Sequence, residues 1–254
     1  MELKEISRKE QFKRAWVLAR KNLKIYYNKG PVLIQGLFLP VIIFFAFTIG
    51  REIDPVFMIS GLLTMVIFLT GSAITPIVLP WETMQQNLER IMTCPIKIST
   101  IIIGDIISSF CFGLLLSIIP LTIGFILFAP FAFFEVIILL LGLLITALFA
   151  AGFGSLLTLP PIKIPSNVMI LQILVKYPLL LITPIFAAFD PRSFVLVSPF
   201  TYFIDLVNYC LGKPSAFGSF GVWIDLAALC LSTLILFVVL FKGHAILFRK
   251  RFSN

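Results

Sequence analysis

The sequence predicts an all-α integral membrane protein, and three observations carry the prediction. Apolar residues arrive in blocks of spanning length, charge is scarce, and the basic residues crowd one side of those blocks. Hydrophobic residues make up 59% of the 254 and charged residues only 13%, where a soluble domain is nearer half apolar and a quarter charged. Mean hydropathy is +1.07. Too few polar side chains exist to coat a water-soluble globule. The blocks also leave no stretch long enough for a soluble domain of useful size.

About 20 apolar residues cross a hydrocarbon core of about 30 Å as a helix. Six blocks meet this length, at roughly 31–50, 55–79, 101–129, 132–158, 167–189 and 223–247. The third is long and holds Pro120, which predicts a kink or tilt. Pro160-Pro161 stops the helix after the fourth. Six crossings put both termini on one side, and the positive-inside rule says which. The first thirty residues carry nine Lys/Arg, and Arg90, Lys97, Lys163, Lys242, Arg249, Lys250 and Arg251 fall on the same side, sixteen of twenty in all. Arg51, Arg192 and Lys213 fall on the other. Both termini are therefore expected in the cytoplasm, with the chain in the plasma membrane. No cleavable signal peptide is expected, because residues 1–30 are charged and the first block is long enough to span.

The segment before the first span predicts an amphipathic helix. At about 100° per residue, Phe12, Trp16, Ala19, Leu23 and Tyr26 fall within an arc of about 80°. Lys13, Arg14, Arg20, Lys21 and Lys24 occupy a separate arc of about 120°. Such a helix lies in the headgroup layer, with its rings in the acyl boundary and its cations toward anionic lipid.

Composition excludes several chemistries. The net charge of +8 is the topogenic excess just described; no basic, aromatic-bearing soluble module exists to bind nucleic acid. Cys94, Cys111, Cys210 and Cys230 are scattered without a C-x-x-C pair, and His244 is the single histidine, so no metal or redox site is expected. Gly152-Phe153-Gly154-Ser155 lacks a nearby histidine base for a serine protease. A P-loop needs G-x-x-x-x-G-K-[ST]. Gly212-Lys213 lacks the upstream glycine and runs into Pro214, so the chain is not expected to hydrolyse ATP.

Charge inside the membrane is costly and marks function by default. Lys176 sits midway along the fifth block beside Tyr177-Pro178, where it faces a subunit interface or translocation path, or else snorkels to the surface. Asp105, near the start of the third block, is explained by the helix N-terminus. Glu135 and Asp225 lie at external span ends and have the same explanation, and His244 is expected at an interface. Gly113, Gly124, Gly142, Gly152, Gly154 and Ser155 let helices approach closely.

Two connections are more than bare turns. The first, 80–100, is polar and then helix-like, with Leu88, Ile91 and Met92 on one face and Pro95 ending it. Ser99 or Thr100 is available to cap the next span. An apolar ridge of this kind fits a groove on a partner or rests on headgroups. The second is 190–222.

Leu88-Glu89-Arg90-Ile91-Met92-Thr93-Cys94-Pro95-Ile96, followed by Ile101-Ile102-Ile103-Gly104, resembles the cytoplasmic segment of ABC-2 type permeases. There an acidic–basic pair, two apolar residues, a small residue and a proline precede a span that opens on an apolar run and glycine. Ser198-Pro199-Phe200-Thr201-Tyr202-Phe203-Ile204-Asp205 resembles a second signature of that family, with Pro199, Thr201, Tyr202 and Asp205 as its marked positions. One departure is Asp105, where the family often has a basic residue.

The resemblance covers essentially the whole chain, and what it implies is specific. Residues 1–30 form the interfacial helix and 31–254 the transmembrane domain. A short cytoplasmic coupling helix (88–96) lies between spans 2 and 3, and external re-entrant helices lie between spans 5 and 6. Two such permease subunits, identical or similar, pair in the bilayer above two ATP-binding cassette subunits. ATP and Mg are expected on those partners, and no cofactor or metal on this chain. The implied function is a non-enzymatic permease subunit, working in export. A self-contained secondary transporter is the alternative. It calls for inverted repeats and buried ionisable residues at mid-membrane, and the sequence offers Lys176 with no repeat. A membrane-embedded enzyme calls for clustered catalytic side chains, which are absent from the pattern.

Overall fold

The structure is a computed structural model that describes residues 7–26, 30, 34–94, 96–128, 132–158, 165–185 and 194–252. Every regular element among them is helical. Helix α1 (Arg8–Tyr26) comes first. A π-helical turn (Ile34–Phe38) runs into α2 (Leu39–Thr48). The next apolar block forms α3 (Pro55–Gly71) and α4 (Ile74–Met84), separated by a break at Ser72-Ala73. After the short α5 (Asn87–Met92) come α6 (Ile98–Phe128) and α7 (Phe133–Leu156). Helix α8 (Pro165–Ile182), a 3-10 turn (Phe194–Val197), α9 (Pro199–Cys210) and α10 (Gly221–Phe252) complete the chain.

Four helical stretches among the described residues are long and apolar enough to cross a membrane: Pro55–Met84, Ser99–Phe128, Phe133–Leu156 and Gly218–His244. The first and fifth expected blocks form shorter described helices, α2 and the apolar run Ile170–Ile182 of α8. The expected Pro160-Pro161 turn lies outside the described residues.

The ends of these elements follow their local chemistry. Asp54 caps α3 by accepting the Val56 amide at 2.9 Å, with Pro55 as the first helical residue. Proline there gives up an amide that has no helical partner anyway. The Glu135 carboxylate reaches back to the Ala132 amide at 3.0 Å, which secures the start of α7. Thr100 does not cap α6. Its hydroxyl instead donates to Gln11 Oε1 of α1 at 2.5 Å.

Helix α6 is the backbone of the packing and lies against α1, α3, α4 and α7. Helix α9 is buried between α3, α7 and α10. At about 1.5 Å per residue its twelve residues reach roughly 18 Å, too short to span. It starts in the interior, where Phe200 lies 4.3 Å from the Phe68 ring and edge-on to Phe149 at 5.4 Å. It ends beside the start of α7, where the Cys210 thiol donates to the Glu135 carbonyl. Lys213, just beyond, pairs with Asp54. The ammonium donating to it holds the Asp54 carboxyl below its usual range, and the Val56 amide acts in the same direction.

Candidate functional site

Polar and charged side chains gather in three places along the bundle. The first is the end that carries α5. Helix α1 presses on α6 here through Ala15 and Ala19, each 1% exposed. The contact is close because residue 104 is glycine. A Cβ there would lie 2.9 Å from the Ala15 carbonyl oxygen and 2.9 Å from Leu18 Cβ. Lys21 of α1 forms an ion pair with Glu82, a buried residue in the last turn of α4. Asn22 donates from Nδ2 to the buried Asp105 of α6 at 2.6 Å. With the Gln11–Thr100 bond, α1 is tied by polar contacts to both helices that flank α5.

The face of α1 that meets the bundle therefore takes only Ala19 and Leu23 from the aromatic arc. It centres on Gln11, Ala15, Leu18 and Asn22, roughly 80° round from it. Phe12 and Trp16 are 61% and 54% exposed and point away from the protein. Leu23 is partly buried against the Ile74–Phe112 cluster. The Tyr26 side chain lies outside the described residues. Lys21 belongs to the cationic arc of the wheel, yet it turns inward. Asp105 is held by an amide from another helix rather than by its own helix N-terminus.

Between α4 and α5 the chain reverses at Gln85-Gln86, where Gln86 takes φ 56°. This left-handed conformation is uncommon outside glycine. Asn87 donates to Gln85 Oε1 across the turn at 3.0 Å. Helix α5 follows, with Ile91 partly buried and Arg90, Thr93 and Cys94 exposed. The Thr93 hydroxyl donates to the Arg90 carbonyl and closes the last turn. Ile96 is partly buried. Pro95 and the side chains of Leu88, Glu89 and Met92 lie outside the described residues.

The second gathering surrounds the Ser72-Ala73 break. Lys176 of α8 is 4% exposed and donates to the Ser72 carbonyl at 2.8 Å and to Gln172 Oε1 at 3.0 Å. Tyr177 beside it is partly buried. Thr75 shares a hydrogen bond with Ser109 of α6 at 2.9 Å, and Ser155 of α7 reaches Thr75 at 3.4 Å.

The third is the opposite end, around α9. Pro199 opens this helix, and Thr201, fully buried, donates to the Val195 carbonyl at 2.6 Å. Thr183 and Ser198 hydroxyls lie 2.7 Å apart. Tyr202 stacks on Phe217 with ring centroids 5.9 Å apart. Asp205 accepts from the Ser215 hydroxyl at 2.7 Å and the Ala216 amide at 3.1 Å, which folds the α9–α10 loop back onto α9. Phe200, unmarked in the sequence pattern, is the interior anchor of the segment. The signal for it was available in the spacing of Phe200, Phe203, Ile204 and Val207, one apolar face of a helix.

Asp225 departs most from its sequence-based expectation. It is fully buried, among the described residues no N–H or hydroxyl group donates to its carboxyl oxygens, and its nearest polar neighbour is the carboxyl of Asp205. Asp225→Asn puts a fixed N–H donor beside Asp205 without needing a proton on either carboxyl. It is expected to raise the stability of the purified chain in detergent by about 1 kcal/mol, the worth of one buried hydrogen bond. A fall of that size in chemical denaturation would mean that Asp225 makes an attractive contact which the amide loses.

Four packed helical stretches of spanning length, enclosing the polar contacts just described within an apolar core, define a helical membrane protein. Residues 13–211 match the ABC-2 type transporter family, and the chain belongs to that family. Among curated protein sequences no match is found.

Proposed function

We propose that this chain is the permease subunit of an ATP-binding cassette exporter. It forms the translocation pathway in the plasma membrane and takes its energy from a separate ATPase subunit. The observation that carries this is α5 itself. It is a six-residue helix at the end of the α3–α4 stretch, presenting Arg90 outward with exposed Thr93 and Cys94 just after it, and α1 is tied to the helices on either side of it. A short helix held rigidly at its base and exposed at its tip suits insertion into a cleft on a partner. On this reading residues 88–96 are the coupling segment, and Glu89 and Arg90 are its charged contacts.

The remaining parts follow from the same reading. Spans 1 and 5 run through α2 and α8, which gives six crossings and two cytoplasmic termini. Helix α1 lies in the headgroup layer, with Phe12 and Trp16 in the acyl boundary. Helix α9, with the 3-10 turns Phe194–Val197 before it and Gly218–Phe220 after it, is the external re-entrant segment. Two permease copies pair, and ATP with Mg binds the ATPase subunits alone. Lys176 and Tyr177 line the interior of the subunit rather than an open path.

The test is a mild-detergent pull-down of the tagged chain from its native membranes. A stoichiometric P-loop ATPase is expected to come with it, and the charge reversals Glu89→Arg and Arg90→Glu are expected to lose it. A chain that purifies alone and still moves solute in liposomes would establish a secondary transporter instead.

A further inference from the structure

We propose that the α3–α4 stretch pivots at Ser72-Ala73, and that Lys176 is the positioning residue that holds the pivot by replacing an amide the sequence has removed.

In an uninterrupted helix the Ser72 carbonyl would accept from the amide of residue 76. Residue 76 is proline, which has no N–H, and whose ring crowds the carbonyl four residues back. Helix α3 accordingly ends at Gly71 and α4 restarts at Ile74. A carbonyl left unpaired at membrane depth is costly, because no water is there to take it. Lys176 meets this need from α8, 104 residues away in the chain, at 2.8 Å. Gln172, one turn earlier on the same helix, steadies the ammonium through Oε1 at 3.0 Å.

The surroundings fit a built pivot. Residue 154 of α7 is glycine, and a Cβ there would lie 2.8 Å from the Ser72 oxygen and 3.0 Å from Ser72 Cα. The backbone of α7 thus rests directly on the break. The Thr70 and Ser72 hydroxyls donate back to the Val66 and Phe68 carbonyls, each at 2.6 Å, a pattern that bends helices. On the far side, Thr75 is tethered to Ser109 and Ser155. Lys176 is inside this cluster and 4% exposed, which suits a structural donor and not a cation awaiting a soluble ligand. Beyond the pivot, α4 carries Glu82 and then α5 at its tip. The mechanical consequence, that motion at α5 is delivered to the bundle about Ser72, rests on α5 being the coupling segment.

The test is a double-mutant cycle on the purified full chain. Lys176→Met is expected to shift the denaturation equilibrium roughly tenfold to a hundredfold toward the unfolded state, the effect of orphaning one buried polar group. Pro76→Ala restores an amide for the Ser72 carbonyl, so the double variant is expected to regain most of that loss. Additive effects overturn the proposal. Should Lys176→Met not fold, spin labels on unnatural residues at Glu52 and Met84 decide it. Pro76→Ala is expected to lengthen and narrow their distance distribution, and an unchanged distribution overturns the pivot. The permease reading is scored separately by the co-purifying ATPase. Rescue without an ATPase keeps the cap and removes its coupling role, while an ATPase without rescue keeps the permease and removes the cap.

Discussion

Gly104→Leu is expected to lift α1 off the bundle while leaving the spanning helices folded. The reason is geometric. The atoms that a Cβ would meet, at 2.9 Å each, are the Ala15 carbonyl oxygen and Leu18 Cβ of α1. Neither is the free end of a flexible side chain, so α1 must move as a body. Overpacking of this kind costs about 1–3 kcal/mol, and a leucine side chain adds more atoms to the clash. Gly104→Ala gains roughly 1 kcal/mol of helix propensity, which offsets part of its own cost. Gly124→Ala is the control on the same helix, because there the Cβ meets only the Ile59 Cγ2 methyl at 3.0 Å, which has room to turn. The measurement is limited trypsin digestion in detergent. Gly104→Leu should expose the Lys/Arg sites of α1 to early cleavage, and Gly124→Ala should not. Resistance of Gly104→Leu equal to that of the parent would show that α1 docks some other way.

Lys21→Met carries the second large effect. Glu82 is 3% exposed and Asp105 3% exposed, and the two carboxyl groups are close enough to repel. Lys21 is the cation near both of them. Removing one partner of a buried ion pair costs about 3–5 kcal/mol, since the other is left buried and uncompensated. The Lys21 side chain is 30% exposed, so solvent screens part of this and about 2–3 kcal/mol is expected. The double variant Lys21→Met, Glu82→Met should recover most of the loss, because a buried pair exchanged for apolar residues of similar volume is often neutral. Chemical denaturation of the four members of the cycle measures the coupling. Additivity within about 0.5 kcal/mol would mean that the two side chains do not act as a pair.

Together the two variants address one feature, the tie between α1 and the helices on either side of α5. Lys21 anchors to the last turn of α4 just before the Gln85-Gln86 reversal, and Asn22, Ala15 and Leu18 anchor to the first turns of α6 just after α5. If α5 docks to an ATPase as proposed, α1 is the brace against which that docking pushes. Variants that free α1 should then weaken ATPase co-purification as well as stability, while Asp225→Asn, at the opposite end, should leave it unchanged.

Much of this architecture is local chemistry and could be read from the residues in order. A run of apolar side chains that cannot be hydrated becomes a helix in the bilayer, so the blocks at 55–79, 101–129, 132–158 and 223–247 were legible. So was α5, from the ridge of Leu88, Ile91 and Met92. The amphipathic character of α1 was legible because helical period alone separates its aromatic and cationic arcs. Family membership was legible in the two segments around Leu88–Ile96 and Ser198–Asp205. Tertiary structure decided which partner each polar side chain found. Lys176 reads as a stray charge until Ser72, far away in sequence, is placed beside it with a proline four residues on. Lys21 and Asn22 read as part of a lipid-facing helix until the glycine at 104 lets α6 come close enough to take them. Asp225 reads as an exposed helix end until α9 folds over it. Hydropathy averages over a window of neighbours along the chain, whereas a hydrogen bond is satisfied by whatever is near in space, and only the packed bundle fixes that.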